Sequence, residues 1–202
     1  MITSLQQLDF SKHYTYSDYL LWQFKERVEL LKGRLLPMAA PNVQHQRISS
    51  YLHTEIGNCL RGKKCDLFSA PFDVRLPLPK NKIIGDKIDT VVQPDLCVVC
   101  DESKLDKQGC IGAPELVIEI LSQGNAKREM KDKYELYEEA GVMEYWIVDP
   151  ERRVVLVYLL DEASGKFMSK TSPLTDEDTL SSHTIKGLTI PLNDIFPKET
   201  VS

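Results

Sequence analysis

Long apolar runs are missing from this chain of 202 residues. None approaches the ~18–20 residues that cross a bilayer. The N-terminal stretch "MITSLQQLDFSKHYTYSDYL" also lacks the basic-then-apolar layout of a secretory signal, so the expected location is the cytoplasm. A basic surplus is missing too. Lys and Arg number 25 against 30 Asp and Glu, a net charge of −5. That balance excludes broad, non-specific coating of nucleic acid but leaves room for a local basic cleft. The two basic clusters, "LRGKKC" and "AKREMKDK", read most plainly as solvated helix ends, the first especially. Cysteine is scarce and odd in number: five residues, spaced for neither a disulfide framework nor a four-ligand metal site. The "CVVC" of Cys97 and Cys100 lies inside an apparent strand, where alternation sends the two thiols to opposite faces. With no second CxxC, they read as packing residues. Internal repeats and low-complexity linkers are absent as well. What remains is an ordinary globular composition, 42% hydrophobic and 27% charged, long enough for one substantial core.

Helix and strand patterns divide the chain cleanly in places. "TYSDYLLWQFKERVELLKG" reads as a helix capped by Thr15 or Ser17 and stopped at Gly33, followed by a short strand, "RLLPMAA". "NVQHQRISSYLHTEIGNCLRG" is an amphipathic helix with Ile48, Leu52, Ile56 and Leu60 every fourth residue and Asn42 as its cap. The middle is β-rich: "DLFSAPFDVRLPL" suggests one or two strands and "PKNKIIGDKID" a polar hairpin or loop. "DLCVVC" and "PELVIEIL" are strands, "NAKREMKDKYELYEEAG" a helix from Asn125 to Gly141, and "MEYWIVD" and "RRVVLVYLL" two further strands. "HTIKGLTIPLNDIF" suggests a terminal strand and a short helical turn. This order predicts an α/β protein with a mixed sheet flanked by helices.

Two of the strands carry an acid that a buried strand does not tolerate without a partner. In "ELVIEIL", alternation groups Glu115, Val117, Glu119 and Leu121 on one face, so apolar neighbours bracket Glu119. Asp95 follows Pro94 at the mouth of the preceding strand, where a turn-capping role is as reasonable as a functional one. Together, the two acids on neighbouring strands suit a hard divalent cation held by oxygen ligands. Lys133 borders the apolar stripe of the next helix and can extend toward them, or simply snorkel.

The blocks "QPDLCVV", "PELVIEILS", "KYELY" and "GVMEYWIVDP" resemble the successive signatures of the Uma family, within the restriction-endonuclease-like PD-(D/E)XK nuclease superfamily. The resemblance covers most of residues 93–158, and "HQRISSYL" and "LPMAAP" extend it upstream. It implies one restriction-endonuclease-like domain over residues 1–202, with a core from about 15 to 160 and a C-terminal extension over 161–202. It assigns Asp95 to the PD half and Glu119 to the second acid, with the Ile120 backbone carbonyl as a further metal ligand. The superfamily's lysine normally stands two residues after the second acid, where this chain has Leu121. The Uma pattern carries it in the next helix, which matches Lys133. An acid that the family often shows in an upstream strand is replaced here by Arg34. Glu29 and Glu55 are possible substitutes, surface helix charge being the other reading of both.

The implied activity is a Mg2+- or Mn2+-dependent endonuclease that hydrolyses DNA phosphodiester bonds and works as a homodimer away from membranes. A weakly active or inactive nucleic-acid-binding module on the same fold is the competing expectation, and a scaffold whose acids form salt bridges is a third. His45 resembles the family's His-Gln block and either touches substrate or bonds locally. Ser122 and Gln123 either line the site or form the strand-to-helix turn. Tyr137, Tyr145 and Trp146 are expected to pack in the core rather than stack on bases.

Overall fold

The computed structural model describes residues 2–78, 88–122, 126–169 and 171–196. The loop read from "PKNKIIGDKID", apart from its last residues, the Asn125 cap and Gln123 lie outside them. The chain opens with α1 (Tyr16–Tyr19), β1 (Val28–Leu31), β2 (Arg34–Pro37) and α2 (Val43–Leu60). Next come β3 (Asp66–Ser69), β4 (Val74–Arg75), β5 (Val91–Val92), β6 (Leu96–Val99), β7 (Leu105–Asp106) and β8 (Gly109–Ile111). The central unit is β9 (Leu116–Ile120), α3 (Ala126–Ala140) and β10 (Glu144–Asp149). The remainder is β11 (Val154–Asp161), β12 (Lys166–Ser169), β13 (Leu174–Thr175), β14 (Thr179–Ser181), β15 (Thr189–Pro191) and α4 (Leu192–Ile195).

One sheet runs β12-β11-β10-β9-β6-β3, with β13 on β11, and a second runs β2-β1-β5-β4-β8-β7. β9 and β10 are parallel, so a crossover must join them, and α3 is that crossover. Its apolar residues Leu136 and Tyr137 cover one face of the first sheet together with Val117, Tyr145 and Ile147. The other face packs on α2 through Ile48, Leu52, Ile56 and Leu60 against Leu116, Ile118 and Ile120. Covering on both faces explains why "LVIEI" is an unbroken apolar run around one acid. The Asn42 cap is formed: its Oδ1 accepts from the His45 amide at 2.8 Å.

The two sheets share a bent antiparallel pair. β3 pairs with β6 in the first sheet and β4 pairs with β5 in the second. Ser69 opposes Leu96 and Val74 opposes Val92, which leaves residues 70–73 facing only residues 93–95. Four residues against three is a bulge, and a bulge bends the ladder and re-aims its side chains. Asp95 sits in it.

Three expectations need correcting. The long first helix is not present: α1 ends at Tyr19, and "VELLKGRLLP" forms the β1–β2 hairpin. Lys32 (φ 51°) and Gly33 (φ 77°) make its two-residue turn, with Leu31 opposite Arg34. A Cβ on Gly33 would fall on the His13 ring, so glycine is required there twice over. Glu29 is therefore a strand residue with no solvent exposure, not surface helix charge. Finally, Cys100 is joined to Cys65 by a disulfide just beyond the β3–β6 pair. Cys97 is a buried free thiol whose pKa burial pushes far up, as a packing residue requires. Among the described residues no helix is long and apolar enough to cross a membrane.

Candidate active site

Asp95 and Glu119 reach the same edge of the first sheet because β6 and β9 run antiparallel. Leu96 opposes Ile118, so the residue before one strand's start meets the residue near the other's end. Asp95 Oδ2 accepts from the Ile120 amide at 2.8 Å, which ties the two strand ends together. His45, in the first turn of α2, brings Nε2 to the same oxygen at 3.1 Å. Both contacts fall on Oδ2. Among the described residues Oδ1 has no hydrogen bond, and the Asp95 side chain keeps 16% of its exposure.

Glu119 points to the opposite face of β9 from Ile118 and Ile120, toward α3. Lys133 and Tyr137, one helical turn apart, both meet it there. Lys133 Nζ donates to Glu119 Oε1 at 2.9 Å and the Tyr137 hydroxyl donates to the same oxygen at 2.6 Å. Again one oxygen carries the contacts, and Oε2 makes no hydrogen bond among the described residues. Lys133 also donates to Glu29 Oε1 at 3.1 Å, and the Gln93 amide donates to that oxygen at 2.7 Å. Glu29 Oε2 is buried without a partner among the described residues.

Two carboxylates, Glu29 and Glu119, thus hold one ammonium in a place with little water, with the charge of Asp95 acting on Glu119 from nearby. Burial pushes the Glu119 carboxyl up to about 7; Lys133 pulls against that, while the charges of Asp95 and Glu29 add to it. Burial works to lower the His45 imidazole, but the bond and charge of Asp95, with Glu119 and the Ile120 backbone, outweigh it and hold the pKa above its ordinary value. His45 therefore stands against Asp95 as its neighbour from α2, an ion pair whenever the imidazole is protonated.

A hard cation suits this donor set. Asp95 and Glu119 each present one oxygen that no described residue bonds, in a cluster with more negative than positive charge. Among the described residues no three His, Cys, Asp or Glu side chains group tightly enough to close a metal site alone. Two carboxylates with backbone and water oxygens are the usual surroundings of Mg2+, which dehydrates reluctantly.

Asp95, Glu119, Lys133, His45 and Ile120 therefore converge, the Ile120 amide being the group that binds Asp95. Glu55 is a partly exposed residue of α2. Trp146 and Tyr145 are buried in the core. Tyr137, also fully buried, is more than packing because of its bond to Glu119. Glu29 was named as a possible third acid but placed on a helix, because its i, i+4 neighbours mimic a helix face; an acid inside the apolar run "VELL" was the available signal for a buried strand. Tyr137 left no such signal, since its hydroxyl partner lies on another element.

A mixed sheet whose parallel strands β9 and β10 are joined by the crossover helix α3 is a restriction-endonuclease-like α/β fold. The chain belongs to the Uma2 family, described as "Putative restriction endonuclease", whose model matches residues 16–193. A crystal structure of "a putative nuclease belonging to DUF820" from Anabaena variabilis ATCC 29413 shares the fold with a TM-score of 0.67. It is 17% identical, and the match covers 91% of this chain and 97% of that one. An uncharacterized protein of Synechocystis sp. (strain ATCC 27184 / PCC 6803 / Kazusa), sll1609, is 26% identical over 134 residues. That match covers 63% of this chain and 68% of the relative.

Proposed function

We propose that the protein is a metal-dependent endonuclease that hydrolyses DNA phosphodiester bonds at Asp95, Glu119 and Lys133. The observation that supports this best is the pairing of free carboxylate oxygens on Asp95 and Glu119 with an ammonium 2.9 Å from Glu119. Asp95 and Glu119, with the Ile120 carbonyl, would hold Mg2+ or Mn2+, which polarises a phosphoryl oxygen and offsets charge in an in-line displacement. The protein's own groups do the rest. His45 and the Ile120 amide fix Asp95 from one side, so its free oxygen keeps one direction. Tyr137 and Lys133 do the same for Glu119. Lys133, anchored by Glu29, stands as a fixed positive charge where a phosphate brings negative charge, and fixed charge stabilises a transition state without reorganisation. The superfamily position at Leu121 is empty of lysine, and the helix supplies the amine instead.

The test is cleavage of plasmid, linear duplex and RNA by the full chain with Mg2+, Mn2+ or EDTA. DNA should be cut, and EDTA should stop it. Asp95→Ala and Glu119→Ala should lose at least ~10²-fold in turnover together with calorimetric Mn2+ binding, whereas Lys133→Met should keep Mn2+ binding and lose turnover by ~10²–10³-fold. Equal cleavage by wild type and Asp95→Ala overturns the proposal. Mn2+ binding without any cleavage would favour a non-cleaving nucleic-acid module, a reading supported by the confinement of Lys133 between two carboxylates. A homodimer, which would present two sites to a duplex, is part of the proposal and is checked by sedimentation with and without DNA.

A further inference from the structure

Beside the acids lies a strongly basic group with no task so far. Arg27 stands two residues before Glu29, so strand alternation puts the two side chains on one face. The ladder reaches it, since the Met38 amide donates to its carbonyl at 2.9 Å. The Leu30–Val91 pairing brings this end of β1 alongside β5, and the Gln93 that follows β5 meets both Arg27 and Glu29.

Among the described residues the guanidinium is held at one point only. Its Nε donates to Gln93 Oε1 at 3.0 Å. Gln93 is itself locked: its Nε2 donates to Asp73 Oδ1 at 2.8 Å and to the Tyr19 hydroxyl at 3.2 Å. The same residue's amide bonds Glu29, so Arg27 is coupled through one side chain to the buried acid cluster. Arg27 Nη2 is buried with no partner, and no carboxylate forms an ion pair with this guanidinium among the described residues. A desolvated guanidinium nitrogen without an acceptor is costly to keep. Lysine cannot substitute for what it offers: two N–H groups along one edge, matched to two oxygens of one anion.

We propose that Arg27 is a phosphate contact of the site, taking non-bridging oxygens of a nucleic-acid phosphodiester at the margin of the acid cluster to which Gln93 links it. The assignment rests on the nuclease reading. It also answers an electrostatic difficulty of that reading. Asp73, Glu29, Asp95 and Glu119 crowd the surroundings of Gln93 and Lys133 with negative charge, and Lys133 is already engaged by two of them. Among the described residues Arg27 has no acid of its own. Gln93 aims it without neutralising it.

The test uses the full chain and a short fluorescein-labelled duplex in EDTA, titrated across a KCl series. Arg27→Met should weaken binding about tenfold at low salt and reduce the slope of log K against log[KCl] by about one. Arg27→Lys, which keeps the charge and is the safer variant for folding, should keep the slope but bind more weakly, because the fork is lost. With Mg2+, both should show a raised KM. A variant that matches wild type in affinity, slope and KM overturns the assignment, and a matched Arg27→Lys alone reduces it to a simple charge. If wild type cleaves DNA and Arg27→Met does so equally, only Arg27 is misassigned. A wild type that neither binds nor cleaves removes the nuclease reading, and this inference with it.

Discussion

Lys133 is 4% exposed and lies between Glu29, fully buried, and Glu119. A buried ion pair of this kind is poor evidence of net stability, yet removing one partner is severe because the other charge is stranded. Lys133→Met should therefore destabilise the metal-free protein by ~3–5 kcal/mol in urea unfolding. Adding Glu29→Gln should recover a large part of that loss, a non-additivity that separates charge stranding from lost packing. Glu119 gives a pH signature in EDTA. Its folded pKa, about 7, stands above the ordinary 4.5, so between those values the folded chain holds a proton that the unfolded chain has released. Stability should fall as pH rises from 4.5 to 7, and Glu119→Gln should flatten that slope in pH-dependent thermal melts. An unchanged slope would show that Glu119 is not held up in the folded protein.

Among elements, the readable ones are those whose covering faces match a simple period. α2 repeats Ile48, Leu52, Ile56 and Leu60 along one stripe, and β10 and β11 are apolar runs of strand length bounded by turns. The β1–β2 hairpin escaped because Lys32-Gly33 is an uncommon hairpin dipeptide and the run before it is as good a helix as a strand. Asp95 and Glu119 were legible as acids in apolar strands. Their place on neighbouring strands was expected as well; the register and the bulge that aim Asp95 were not legible. The β7–β8 hairpin gave no clear alternation. Glu144 shows how a motif residue can be entirely structural. It is fully buried at the start of β10 and accepts from Trp146 Nε1, Ser182 Oγ, the amides of His183 and Thr184, and Thr184 Oγ1. Glu144→Ala strands those donors and should cost more than ~3 kcal/mol in denaturant unfolding, while leaving Mn2+ binding by the folded fraction unchanged.

At the scale of the whole molecule, the segment that Glu144 pins belongs to the main core. Leu180, Ile185, Leu188, Ile190, Leu192, Ile195 and Phe196 share one buried cluster with α2 and β9. Ile190→Ala opens a cavity in it and should cost ~2–5 kcal/mol in the single cooperative transition of the full chain, measured by urea unfolding. A separate early transition would show instead that the C-terminal strands melt alone. The net charge of −5 makes binding of nucleic acid depend on local groups rather than on the surface as a whole. The bulge between the sheets carries a consequence of a different sort. Because four residues between Ser69 and Val74 face three between Val92 and Leu96, the aim of Asp95 depends on a count, not only on chemistry. Deleting or inserting one residue there would act on the site as surely as replacing Asp95, although no side chain of the site would have changed. In the β11–β12 turn, at residues 162–165, the same edit only lengthens or shortens an exposed loop. Related chains that keep this site are therefore expected to vary in length at the turn and to hold it constant at the bulge.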